Sequence, residues 1–167
     1  MIDTIDHQDL DKTRPYNGET HRPVRRGRPH FTEEAMLEGG CFCGKVRYEV
    51  SGPPVYSTIC HCEDCRRVSA APFVAWFSVV RSGFRFLQGE PTRVATSQAV
   101  LREFCPDCGT HLTYQHDAFP DEIDIATCSL DAPERVPPQH HTWVSRKLPW
   151  VHLSDALPKY ERSDTES

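Results

Sequence analysis

The chain has 167 residues, 38% of them hydrophobic, with a formal net charge of −5, 14 prolines and 8 cysteines. Its length makes one domain the simplest expectation, the apolar fraction supports a modest core, and the acidic balance removes any general electrostatic pull toward nucleic acid or an anionic membrane surface. No apolar run approaches the ~20 residues that span a bilayer, and the opening Met1-Ile-Asp-Thr-Ile5 lacks the charged and apolar regions of a secretory signal, so the expected location is cytoplasmic.

Residues 1–36 are polar, carry both charges and show no sustained periodicity, which predicts a mobile leader. The basic stretch His21 to His30 inside it has acidic flanks and reads as a solvated arm. A folded domain is expected over 37–162, with 163–167 a frayed tail. Lys45 to Val50 alternates, with Val46, Tyr48 and Val50 inward, as in a half-buried strand. Ser51-Gly-Pro-Pro54 breaks it. Phe73 to Val80 is a more apolar, more central strand; Arg81-Ser-Gly83 turns, and Phe84 to Leu87 reads as its return arm. Shorter strands follow at Thr92 to Thr96, Arg102 to Phe104, His111 to Tyr114, Glu122 to Thr127 and His141 to Val144. A turn or two of helix is expected after Cys62. The fold class is mainly β, with antiparallel sheets and little helix.

Seven of the cysteines fall in three tight clusters: Cys41-Phe-Cys43, Cys60-His-Cys-Glu-Asp-Cys65 and Cys105-Pro-Asp-Cys108. In a reducing compartment such clusters favour metal over disulfides. Cys41 and Cys43, at i and i+2, point the same way from an extended backbone. Cys105 and Cys108 form a CxxC knuckle whose thiolates suit a Zn–S distance of ~2.3 Å. These four close one structural zinc site, a staple between distant parts of the chain. Cys60, Cys62 and Cys65 form a second site with one position vacant, and open sites can do chemistry. Two readings stay open beside this one: a CxxC redox pair, or purely structural zinc with His61, His111 or His116 as an eighth ligand. His61, between two ligands, is expected to point away from the metal. Arg66 and Arg67 are candidate anion contacts, Cys128 is expected to be a small buried hydrophobe, and Trp76, Phe77, Trp143 and Trp150 are core or cleft walls.

The chain resembles the glutathione-dependent formaldehyde-activating (GFA, or CENP-V/GFA) domain family. The matching text is Gly39-Gly-Cys-Phe-Cys-Gly-Lys-Val-Arg-Tyr48, Cys60-His-Cys-Glu-Asp-Cys-Arg66 and Phe104-Cys-Pro-Asp-Cys-Gly-Thr-His-Leu112, with Cys128 to Pro133 and Leu148-Pro-Trp150 downstream. The resemblance implies an Mss4-like fold of packed antiparallel sheets. It also implies a structural zinc on Cys41, Cys43, Cys105 and Cys108, and a second zinc on Cys60, Cys62 and Cys65 at the active site. The implied activity is condensation of formaldehyde with glutathione, a carbon–sulfur lyase reaction in reverse, so the expected partner is a small thiol such as glutathione. At Ser69-Ala-Ala71 the chain departs from the family, where glycine is expected after the serine. His61, His111 and Arg66 are candidates for proton transfer or carboxylate contact. A thiol carrier without turnover, or an interaction module using the basic leader, are the competing functions.

Overall fold

The computed structural model describes residues 36–163; the expected leader and tail lie outside the described residues, save Met36 and Ser163. The elements that position the candidate sites are ten strands and one short α-helix. In chain order they are β1 (Leu37–Gly40), β2 (Arg47–Val50), β3 (Tyr56–Cys60), α1 (Glu63–Ser69), β4 (Val74–Val80), β5 (Phe84–Gln88), β6 (Thr92–Ala95), β7 (Val100–Phe104), β8 (His111–His116), β9 (Glu122–Ala126) and β10 (His140–Thr142). They form a three-stranded sheet, β1-β2-β5, and a seven-stranded sheet, β10-β3-β4-β9-β8-β7-β6. The mainly β expectation holds, with one departure from an all-antiparallel pattern: β10 runs parallel to β3 at the edge of the large sheet.

Alternation along the strands builds a core between the two sheets. Val46, Tyr48 and Val50 from the small sheet meet Phe77, Val79, Ile123 and Ile125 from the large one, each at most 2% exposed. Side chains alternate across a strand, so the intervening residues of β3, β4 and β9 face the other way. There Trp76 packs with Cys60, Cys65 and Ala126 in a second, smaller cluster. The large sheet thus has one face in the core and one face carrying chemistry-bearing side chains.

The return-arm expectation for β5 fails. It pairs with β2, not β4, and so crosses from one sheet to the other. The cause is local. A 3-10 turn at Arg81–Gly83 docks on the end of β2, where Ser51 N–H donates to the Gly83 carbonyl at 2.7 Å. A Cβ on Gly83 would stand 2.4 Å from the Ser51 carbonyl oxygen, so glycine permits the approach. Phe84 and Phe86 then stack on one another at 4.9 Å, and Phe84 lies 5.4 Å from the Tyr48 ring.

Cys128 is also corrected. The alternation ends at Ala126, the chain enters a 3-10 turn, and Cys128 is exposed.

Candidate functional site

The loop between β1 and β2 and the turn between β7 and β8 bring Cys41, Cys43, Cys105 and Cys108 together, one pair from each sheet's end of the molecule. Their four sulfurs lie within 4.8 Å of one another. Cys41 Sγ is 3.4 Å from Cys43 Sγ, and Cys43 Sγ is 3.8 Å from Cys105 Sγ. A tetrahedral ion with Zn–S near ~2.3 Å needs sulfur–sulfur edges of roughly 3.8 Å, so this donor set fits zinc. Cys41 and Cys43 converge through a turn, in which Gly44 N–H donates to the Cys41 carbonyl at 3.0 Å, and not through the extended backbone expected. The turn throws Phe42 into solvent at 95% exposure. Val46 N–H reaches Cys41 Sγ at 3.2 Å, and Thr110 Oγ1 lies 3.2 Å from Cys108 Sγ, the polar contacts that anionic sulfurs require. Cys41 and Cys105 are themselves part of the main core.

Cys60, Cys62 and Cys65 form the second group, their sulfurs again within 4.8 Å. Cys60 ends β3. Cys62 is the N-cap of α1, and its sulfur accepts the Cys65 N–H at 3.3 Å. The ordinary helix-capping contact therefore draws two of the thiols into register. Neither group includes a histidine, so none of His61, His111 and His116 completes the trio as a fourth ligand at this spacing. Hydrogen bonds from the Cys60 and Cys62 thiols hold Cys65 well below the ordinary thiol range, and the Arg102 charge and Trp76 act the same way. The Cys60 thiol moves in the opposite direction, pushed up by its bonds to Cys62 and Cys65.

Behind the trio, His61 is fully buried. His61 Nε2 lies 3.0 Å from His141 Nδ1, and His141 Nε2 lies 3.0 Å from an Asp155 carboxylate oxygen. Asp155 can only accept when ionised, so His141 presents its Nε2–H to it and takes the His61 Nε2–H on Nδ1. Burial pushes His61 down to about 4, so this ring is neutral near pH 7. The loop carrying two of the thiols is thereby tied to β10 and to the C-terminal segment.

In front, Trp76 has His111 edge-on at 5.1 Å and Tyr114 at 6.2 Å, and Val74, Tyr114 and Trp143 pack against the cluster. Burial lowers His111 to about 4 as well. Of the other named candidates, Phe77 belongs to the main core, Trp150 is 65% exposed, Arg67 pairs with Glu63 on the surface at 3.1 Å, and Arg66 keeps a buried Nε without a partner. Sequence reading missed Arg102, Asp124, His141 and Asp155. The available signal, for Arg102 alone, was a charged side chain at an alternating position between apolar Val100 and Phe104.

Ala70, the departure from the family pattern, is the C-cap of α1 with φ 50° and ψ 34°. That left-handed conformation is the one glycine adopts without steric cost.

The structure is a two-sheet β protein with two groups of converging thiols, of four and of three, that could each hold a metal ion. The family described as glutathione-dependent formaldehyde-activating enzyme matches residues 36–146, and the chain belongs to that family. It is similar to a Halomonas elongata protein named as a candidate glutathione-dependent formaldehyde-activating enzyme, 24% identical over 71% of this chain and 81% of that one. A Schizosaccharomyces pombe protein named as an uncharacterized lyase is 30% identical over 47% of this chain and 57% of that protein. A Rhodobacter sphaeroides protein of known crystal structure matches 74% of this chain and 98% of its own, at 20% identity and a TM-score of 0.49. Among the described residues no helix is long and apolar enough to cross a membrane.

Proposed function

We propose that the protein is a zinc-dependent carbon–sulfur lyase of the S-(hydroxymethyl)glutathione synthase type, acting on a glutathione-like thiol and formaldehyde or a related small aldehyde. The observation that carries this reading is the division of seven thiols into a group of four anchored in the main core by Cys41 and Cys105 and a group of three on the opposite face of the sheet. Cys41, Cys43, Cys105 and Cys108 would hold a structural zinc, and Cys60, Cys62 and Cys65 a second one with a position left for substrate. The working unit is residues 37–162, in a reducing, cytoplasmic setting where the thiols stay available.

When bound at the trio, zinc supplies a Lewis-acidic position that favours the thiolate form of a thiol or polarises a carbonyl. The protein's own residues set the rest. Trp76, Tyr114 and Trp143 pack around the trio. The helix cap at Cys62 and the His61–His141–Asp155 chain fix the loop, so the three sulfurs are placed before substrate arrives. In the synthetic direction the sulfur lone pair forms the C–S bond, the carbonyl π pair moves to oxygen, and that oxygen takes the proton released by the thiol. Lyase action is the same path reversed.

The test is exchange NMR of formaldehyde and glutathione with the zinc-loaded protein, using Cys62→Ser as control. The expected result is interconversion faster than the spontaneous rate, returning to that rate in the variant. No acceleration by the wild type refutes the synthase reading, and saturable thiol binding without acceleration makes the protein a carrier.

A further inference from the structure

The face that carries the three-thiol group also carries a buried cation that no acidic side chain contacts directly among the described residues. Arg102, on β7, is 4% exposed, and its guanidinium sits 4.6 Å from the centroid of the Tyr114 ring. Its Nε donates to Thr96 Oγ1 at 3.2 Å, while Nη1 is buried without a partner. No acidic side chain among the described residues forms an ion pair with it. Glu103, next in sequence, alternates to the other face, where it accepts from Arg93 at 2.7 Å and from Thr113 at 2.7 Å. Asp124 shares the face with Arg102 and feels its charge, but burial pushes it up to about 7, so it offers only a partial negative charge near neutral pH.

A guanidinium keeps its proton in a protein, and a buried charge without a counter-charge is costly. A candidate counter-charge beyond Asp124 lies in the neighbouring cluster. Tyr114, under the guanidinium, packs against the cluster that contains Cys60, Cys65, Trp76 and Ala126, with its ring 6.2 Å from that of Trp76. Three thiolates on a divalent ion leave one net negative charge, and a thiolate in the fourth position makes two. In a site of low dielectric such charge is felt beyond contact distance.

We propose that Arg102 is the counter-charge of the three-thiol site, a positioning residue that favours an anionic sulfur ligand in the open position. The proposal rests on reading that site as an open, thiol-binding metal centre. Its chemical consequence is selectivity for thiolates as a class, whatever the rest of the thiol carries.

The experiment titrates cobalt(II)-loaded protein with glutathione and, separately, with uncharged 2-mercaptoethanol, reading the sulfur-to-cobalt charge-transfer band. Arg102→Gln is expected to weaken both thiols by about tenfold or more, and Arg102→Lys to stay within about threefold of wild type. Wild-type affinity for both thiols in Arg102→Gln overturns the proposal. So does a loss confined to glutathione, which assigns Arg102 to a substrate carboxylate. If the Gln chain does not fold, the Lys variant carries the test, and a loss of about tenfold with the charge retained overturns it. A wild type that binds neither thiol overturns the thiol-centre reading as well, whereas thiol binding unaffected by either variant removes the counter-charge alone.

Discussion

Asp124→Asn is predicted to stabilise the protein by an amount that depends on pH. Asp124 sits on β9, partly buried, accepting a hydrogen bond from Tyr56 Oη at 3.0 Å. Burial raises its carboxyl from the ordinary 3.8 to about 7; bonds from Ser78 and Tyr56 and the Arg102 charge oppose that rise, and Glu122 adds to it. The unfolded chain loses this proton near 3.8, whereas the fold holds it until about 7. The stability tied to the bound proton is therefore full below 3.8 and is lost as pH rises through 7. At ~1.4 kcal/mol per pH unit the whole effect has a ceiling of about 4 kcal/mol. Asparagine keeps the acceptor for Tyr56 and has nothing to ionise. The variant should gain about 2 kcal/mol relative to wild type between pH 5.5 and the plateau above 7, a range chosen to keep thiolate-bound metal in place. Urea unfolding of both proteins across that range measures it, and titrations shared by the two cancel in the difference. A difference that stays flat from pH 5.5 to 8.5 refutes the reasoning, because it means the folded carboxyl is already ionised.

Ala70→Gly should stabilise the protein by about 0.5–1 kcal/mol: it removes a left-handed conformation that costs a non-glycine residue roughly 1–2 kcal/mol, less the added entropy of glycine in the unfolded chain. Thermal melting reads this, and a lower Tm contradicts it. Gly39→Ala should destabilise by about 1–3 kcal/mol, because a Cβ there would stand 2.3 Å from Tyr48 Oη and 2.5 Å from the Ser129 carbonyl oxygen, with Tyr48 fully buried. Denaturant unfolding at pH 7 checks it, and an unchanged midpoint contradicts it.

The strands that read clearly from sequence are those with one face in the core. Val46, Tyr48 and Val50 alternate with polar residues, and the structure buries all three to within 1%. Tyr56–Cys60 is a strand that the pattern hid. Its Tyr56, Thr58 and Cys60 serve the chemistry-bearing face and its fully buried core-side Ser57 is polar, so apolar alternation does not mark it. The partner of β5 was equally illegible, because pairing across sheets is set by the docking of the Gly83 turn on Ser51 and not by the local pattern. At the candidate sites, cysteine spacing gave three clusters and ligand counting divided them four and three, the same groups of thiols that converge in the structure. Spacing is silent about what arrives from elsewhere in the chain. His141 and Asp155 reach His61 only through the parallel pairing of β10 with β3, and Arg102 reaches the trio's neighbourhood only across Tyr114.

Metal content measured together with folding, in wild type, Cys62→Ser and Cys105→Ser, tests the division of thiols most directly. Cys62 caps a helix outside the main core, and serine is itself a good N-cap, so that variant should keep its circular dichroism while losing one of two bound zinc ions. Cys105 is fully buried in the core and joins the two ends of the structural group, so Cys105→Ser should lose metal and fold together. If both variants lose one ion and stay folded, or both unfold, the division into a structural staple and an open site is wrong.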